Sequence, residues 1–75
     1  MAKLPLIKAS RIEEILEKLG FKFLRQRGSY MFFVHPDGRT TVIPNHPNED
    51  VDRGLLNKII KHDLQIEREE FLKYV

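Results

Sequence analysis

The sequence predicts a small α+β domain: a helix, a three-stranded antiparallel meander, a second helix packed with the first on one face of the sheet, and a short closing helix. Three observations predict it. A helix-spaced apolar stripe precedes residue 20, aromatic and β-branched residues cluster between 21 and 43, and a second helix-spaced stripe follows residue 50. With 75 residues there is material for one core, so residues 1–75 read as a single domain whose other sheet face is left free for a ligand.

Ser10 and Glu13 have capping-box spacing, which predicts a helix start at Ser10. Ile12, Ile15, Leu16 and Leu19 then form one stripe, and Gly20 supplies the left-handed residue that ends many helices. Residues 21–27 predict a first strand, Gly28 and Ser29 a break, and residues 30–35 a second strand. His35-Pro36-Asp37-Gly38 is turn chemistry, and residues 39–43 predict a third strand returning antiparallel to the second. Pro44 and Pro47 bracket a loop. Val51, Leu55, Leu56, Ile59 and Ile60 recur at helical spacing behind Asp52 as cap, predicting a helix over 52–62, and residues 67–74 predict the closing helix.

Composition narrows the chemistry. Without cysteine there is no disulfide, no Cys-based zinc site and no thiol nucleophile, which suits a reducing cytoplasm. No apolar run approaches the length of a membrane span, and the first eight residues do not read as a signal peptide, so a cytoplasmic chain is expected. Charge is uneven. Residues 1–27 carry seven Lys/Arg against three Asp/Glu, residues 28–47 one against one, and residues 48–75 five against seven. A basic first third suggests an anionic partner.

Phosphate-binding and nucleophile-elbow motifs are absent, and the three histidines have no metal-ligand spacing, so no metal and no cofactor is expected. His62 reads as a cation near a helix C-terminus and His35 as a turn initiator. His46 sits in a loop, where functional residues collect. Arg25 and Arg27 border a strand containing Tyr30, Phe32 and Phe33, and cations interleaved with rings are what RNA surfaces use. Core packing is the expectation for both phenylalanines, RNA contact for the two arginines. Regular alternation puts Tyr30, Phe32 and Val34 on one side, Met31, Phe33 and His35 on the other, and Lys22 and Arg25 on opposite faces.

Five ordered segments carry a resemblance: Leu4-Pro-Leu-Ile-Lys8, Leu16-Glu-Lys-Leu-Gly-Phe21, Arg25-Gln-Arg-Gly-Ser-Tyr30, His35-Pro-Asp-Gly-Arg39 and Val42-Ile-Pro-Asn-His46. With Leu55 to Ile60 and Glu69-Glu-Phe-Leu72, they resemble the HicA (YcfA-like) toxin family over nearly the whole chain. The resemblance implies a double-stranded-RNA-binding-domain-like α-β-β-β-α fold and a metal-independent mRNA interferase, an endoribonuclease paired with a HicB-type antitoxin. It implies mRNA and the antitoxin as partners, with the antitoxin covering the active face. Lys8, Lys22, Arg25, Arg27 and Arg39 are the phosphate-contact candidates, and Gly28 and Ser29 would place residue 30 at the strand start.

In that family a histidine held responsible for cleavage follows the glycine-serine pair, and here Tyr30 stands in its place. Cleavage needs one group to take the 2′-hydroxyl proton and another to protonate the leaving oxygen, and imidazole serves both ends near neutral pH. A phenol, with an ordinary pKa of about 10, is ionised in roughly one molecule per thousand at pH 7. Reduced or absent cleavage is therefore expected, with His46 as a possible second group. The alternatives are a chain that still cuts, a natural module that binds RNA or antitoxin without cutting, and a toxin disarmed by a single-base codon change.

Overall fold

The computed structural model describes residues 4–46 and 48–75. Pro47 of the predicted loop and residues 1–3 of the N-terminal segment lie outside the described residues. The chain runs through β1 (Ile7–Lys8), α1 (Ala9–Lys18), β2 (Lys22–Arg27), β3 (Tyr30–Val34), β4 (Thr40–Pro44), β5 (Asp50–Val51), α2 (Arg53–Lys58), a π-helical continuation (Ile59–Leu64) and α3 (Arg68–Leu72). This is the predicted α+β order with two additions. Strands β1 and β5 pair antiparallel, Ile7 opposite Val51 and Lys8 opposite Asp50. Two residues are too few to show alternation, so neither strand is legible as sequence.

That small ladder also corrects the helix start. The N-cap of α1 is Lys8, which makes no side-chain cap bond, and Ser10 lies inside the first turn. The reason is an acceptor supplied from elsewhere: the Ala9 N–H donates to the Glu49 carbonyl at 3.2 Å, beside the β1–β5 pair. An orphan donor satisfied by a neighbouring strand has no need of a serine cap. The far end follows the sequence. Gly20 has φ +100°, its N–H donates to Glu17 and the Phe21 N–H to Leu16, which is a Schellman ending with Phe21 and Leu16 both buried.

Asp52 caps α2 as predicted, accepting from the Gly54 and Leu55 N–H groups at 2.9 and 3.2 Å. The helix then runs past His62 to Leu64, its last turn widened to π geometry, and Gln65 ends it at φ +57°. Ile12, Ile15 and Leu16 of α1 meet Leu56, Ile59, Ile60 and Leu64 of the second helix, and Met31, Phe33 and Ile43 of the sheet complete one core with Phe21 and Phe71. Each such side chain fully buried contributes about 1.5–3 kcal/mol. Among the described residues no helix is long and apolar enough to cross a membrane.

The meander has strand order β2-β3-β4, antiparallel throughout. Gly28 (φ +58°) followed by Ser29, whose φ is not positive, joins β2 to β3 in the pattern of a type II′ turn. Between β3 and β4 the Gly38 N–H returns to the His35 carbonyl at 2.9 Å and the His35 N–H to the Arg39 carbonyl at 2.8 Å. His35 is thus the turn initiator its position suggested, and its Nδ1 accepts from the Asp37 N–H at 3.1 Å.

Candidate nucleic-acid interface

Alternation along β3 and β4 divides the sheet into two faces. Met31, Phe33, Thr41 and Ile43 point under the helices and are buried. Tyr30, Phe32 and Val34, opposite Pro44, Val42 and Thr40, form the other face, with Tyr30 54% exposed. Phe32 therefore belongs to the open face, against the expectation that both phenylalanines fill the core.

Strand β2 holds the decisive irregularity. Phe23 pairs with Phe33, but the next paired residue is Arg25, opposite Phe32, so Leu24 is an extra residue in the ladder. Lys22 faces Val34, Arg25 faces Phe32 and Arg27 faces Tyr30. The bulge absorbs one step of alternation and brings all three cations onto the face that carries Tyr30 and Phe32. The sequence expectation that Lys22 and Arg25 lie on opposite faces is overturned, because it assumed a regular strand. The Arg25 guanidinium carbon lies 5.1 Å from the Phe32 ring centroid, a cation–π contact that only a shared face permits.

Among the described residues, none of Lys8, Lys22, Arg25 and Arg27 pairs with a carboxylate. Their charge is free for phosphate. Phe23 and Leu24 add exposed apolar surface along the same outer strand, 55% and 56% exposed. Gln26 folds over the turn instead, its side-chain amide donating to the Gly28 carbonyl at 3.1 Å.

Other predicted site residues stand elsewhere. Arg39 lies at the opposite end of the sheet from Tyr30, about 13 Å along β3 at strand rise, where its Nε donates to Asp37 at 2.8 Å and its Nη1 to the Leu64 carbonyl. It also sits over the Phe21 ring at 5.3 Å. The Arg39 contacts hold the Asp37 carboxyl below the usual aspartate range, the side-chain hydrogen bond being the main cause. Lys8 belongs to the small ladder that caps α1. His35 faces away from Tyr30 and packs edge-on against Phe21, ring centroids 5.0 Å apart.

His46 leaves the sheet next to the β2–β3 turn, because the Asn45 N–H donates to the Ser29 carbonyl at 2.6 Å. It does not share a hollow with Tyr30. Tyr30 lines one hollow with Lys58 and Asp63, His46 lines another with Glu49 and Asp52, and Pro44 and Leu55 are common to both. The His46 Nδ1 lies 3.8 Å from Glu49 Oε2, and the imidazole is half exposed. Lys58 and Asp63 were not singled out by the sequence reading. Their place beside Tyr30 depends on how the second helix crosses β4, which no local pattern encodes. Among the described residues no group of three His, Cys, Asp or Glu is arranged to hold a metal ion.

Residues 9–63, from the start of α1 into the π-helical turn, match the sequence model of a family described as the HicA toxin of bacterial toxin-antitoxin systems. That is 55 of the 75 residues. β1 and α3, which the sequence resemblance included, lie outside the matched stretch. No curated protein matches the chain significantly.

Proposed function

The chain belongs to the HicA toxin family of bacterial toxin-antitoxin systems, and from that premise we propose that it is a single-domain, cytoplasmic RNA-binding toxin whose open sheet face is an mRNA interferase site with weakened or lost cleavage. The observation that carries this reading is the placement by the Leu24 bulge of Lys22, Arg25 and Arg27 on one face with Tyr30 and Phe32. Three unpaired cations track a phosphate backbone, and Tyr30 with Phe32 offers rings to unstacked bases. Gly28 and Ser29 make the tight turn that sets residue 30 at the start of β3, at the rim where a strand of RNA enters.

In this reading the 2′-hydroxyl oxygen of the bound nucleotide attacks the adjacent phosphorus and the P–O5′ bond breaks. The 2′-hydroxyl proton goes to a base, and the 5′ oxygen takes a proton from an acid. Tyr30 holds the family's histidine position and serves as a proton donor or stacking platform better than as a base at pH 7. His46 is the nearby imidazole, one residue beyond the Asn45–Ser29 bond. A HicB-type antitoxin covers the same face, so antitoxin and mRNA compete for it. Tyr30 also favours a second reading, a domain that binds RNA or antitoxin and no longer cuts.

One experiment separates these readings. A long mRNA is incubated with the antitoxin-free chain, and in parallel with Tyr30→His and His46→Ala, without added metal at pH 7. Cutting by Tyr30→His alone identifies a folded but disarmed interferase. If the unaltered chain cuts and His46→Ala abolishes this, the reaction centres on the loop and the Tyr30 assignment is wrong.

A further inference from the structure

Between β4 and the second helix, adjoining the open face at Tyr30, runs a groove of about 290 Å³. Its size is near the lower limit of small-molecule sites, roughly 300 Å³, so it takes one nucleotide and not a duplex. Val42, Pro44 and Leu55 make its apolar walls, and the Tyr30 ring stands at one side. Two charged groups also line it. Lys58 has no carboxylate partner among the described residues, and Asp63 is held by a hydrogen bond from the buried Thr41 hydroxyl to Oδ2 at 2.9 Å. No other hydrogen bond or ion pair engages Asp63 among the described residues, which leaves Oδ1 to accept from a ligand.

We propose that this groove is a one-nucleotide subsite selective for guanine, resting on the reading of the adjoining face as an RNA surface. An ionised carboxylate is acceptor-only. Guanine presents two adjacent donors, N1–H and N2–H, on its Watson–Crick edge. Adenine and cytosine present an amino group beside a ring acceptor, and uracil a single donor between two carbonyls, so each sets a lone pair against the carboxylate. Unstacked RNA bases are read on that edge while their faces lie on rings and apolar walls. The Lys58 ammonium is donor-only and point-like, suited to the phosphate of the same nucleotide. Thr41 fixes the Asp63 carboxylate in one orientation and so positions the acceptor without touching the base.

The test uses the ¹⁵N-labelled chain titrated at low salt with the 5′-monophosphates of guanosine, adenosine, cytidine and uridine, following the amide shifts of Tyr30, Val42, Lys58 and Asp63. The guanosine nucleotide should bind about tenfold tighter than the other three, at the lower end of what a good base contact discriminates, since Asp63 is partly exposed. Asp63→Asn keeps an acceptor for Thr41 and should retain the folded spectrum while losing the preference. Lys58→Ala should weaken all four nucleotides alike. Equal binding of the four, or a preference that survives Asp63→Asn, overturns the proposal. A single-stranded oligoribonucleotide run alongside distinguishes the failures. If it binds through Arg25 and Arg27 and no base preference appears, the groove proposal alone falls. If it does not bind at all, the RNA reading of the open face falls and takes this proposal with it.

Discussion

Replacing Arg25 and Arg27 together by glutamine tests the shared face through its salt dependence. Each cation that neutralises a phosphate of single-stranded nucleic acid contributes about −0.7 to the slope of log K against log salt. Lys22, Arg25 and Arg27, all unpaired and on one face, give about −2.1, a loss of roughly 20-fold in affinity between 50 and 200 mM salt. The double substitution should leave the face contributing about −0.7, or roughly threefold over the same range. Whatever other cations take part, the slope should change by about 1.4. Both side chains are exposed, so stability should move by no more than about 0.5 kcal/mol. Fluorescence anisotropy with a labelled, unstructured oligoribonucleotide reads the slope directly. An unchanged slope in the double variant would mean that these arginines do not lie on the RNA backbone, and the argument from the bulge would fail.

Other outcomes follow from the same geometry. Deleting Leu24 removes the extra residue but leaves Arg25 opposite Phe32, so the salt slope should stay at its original value. Thr41→Val removes the hydroxyl that donates to Asp63 from a buried position and should cost about 1–2 kcal/mol in urea unfolding. Gly20→Ala places a Cβ 2.9 Å from His35 Nε2 at a φ of +100°, and thermal or urea melts should show a loss of about 1–3 kcal/mol. Because Asp37 has its pKa lowered in the folded state by Arg39, it stabilises the fold above the ordinary aspartate pKa of about 4. That contribution fades as the pH falls through the lower folded value. A carboxyl-carbon NMR titration should place the Asp37 midpoint below 4, and Arg39→Leu should return it toward the ordinary value.

The helices, the meander and its turns were legible because each rests on local chemistry: the stripe from Ile12 to Leu19, the glycines at 20 and 38, and the Asp52 cap. The start of α1 was misread because its cap comes from Glu49, far along the chain. Alternation assigned Met31 and Phe33 correctly to the covered face but failed at Leu24, since a bulge shifts every later side chain and leaves no mark in KFLRQR. For the site, the residue types were readable and their grouping was not. Arg25 and Arg27 stay with Tyr30, whereas Arg39 is spent on Asp37 and Leu64. The groove partners Lys58 and Asp63 emerge only from the packing of the π-helical turn against β4.

The β1–β5 ladder has a consequence for the motion of His46. The arch carrying this residue is anchored at one end by the Asn45–Ser29 bond and at the other by Glu49, Asp50 and Val51 gripping the chain at Ala9, Lys8 and Ile7. A tether between two fixed posts has little conformational freedom to lose when a ligand arrives. Trimming the chain through Ile7 would release one post and convert the arch into a long, slack connection from β4 to α2. Amide exchange at residues 48–51 would then quicken while the meander kept its protection. The N-terminal strand, outside the family-matched stretch, thus governs the entropy of a loop some forty residues away.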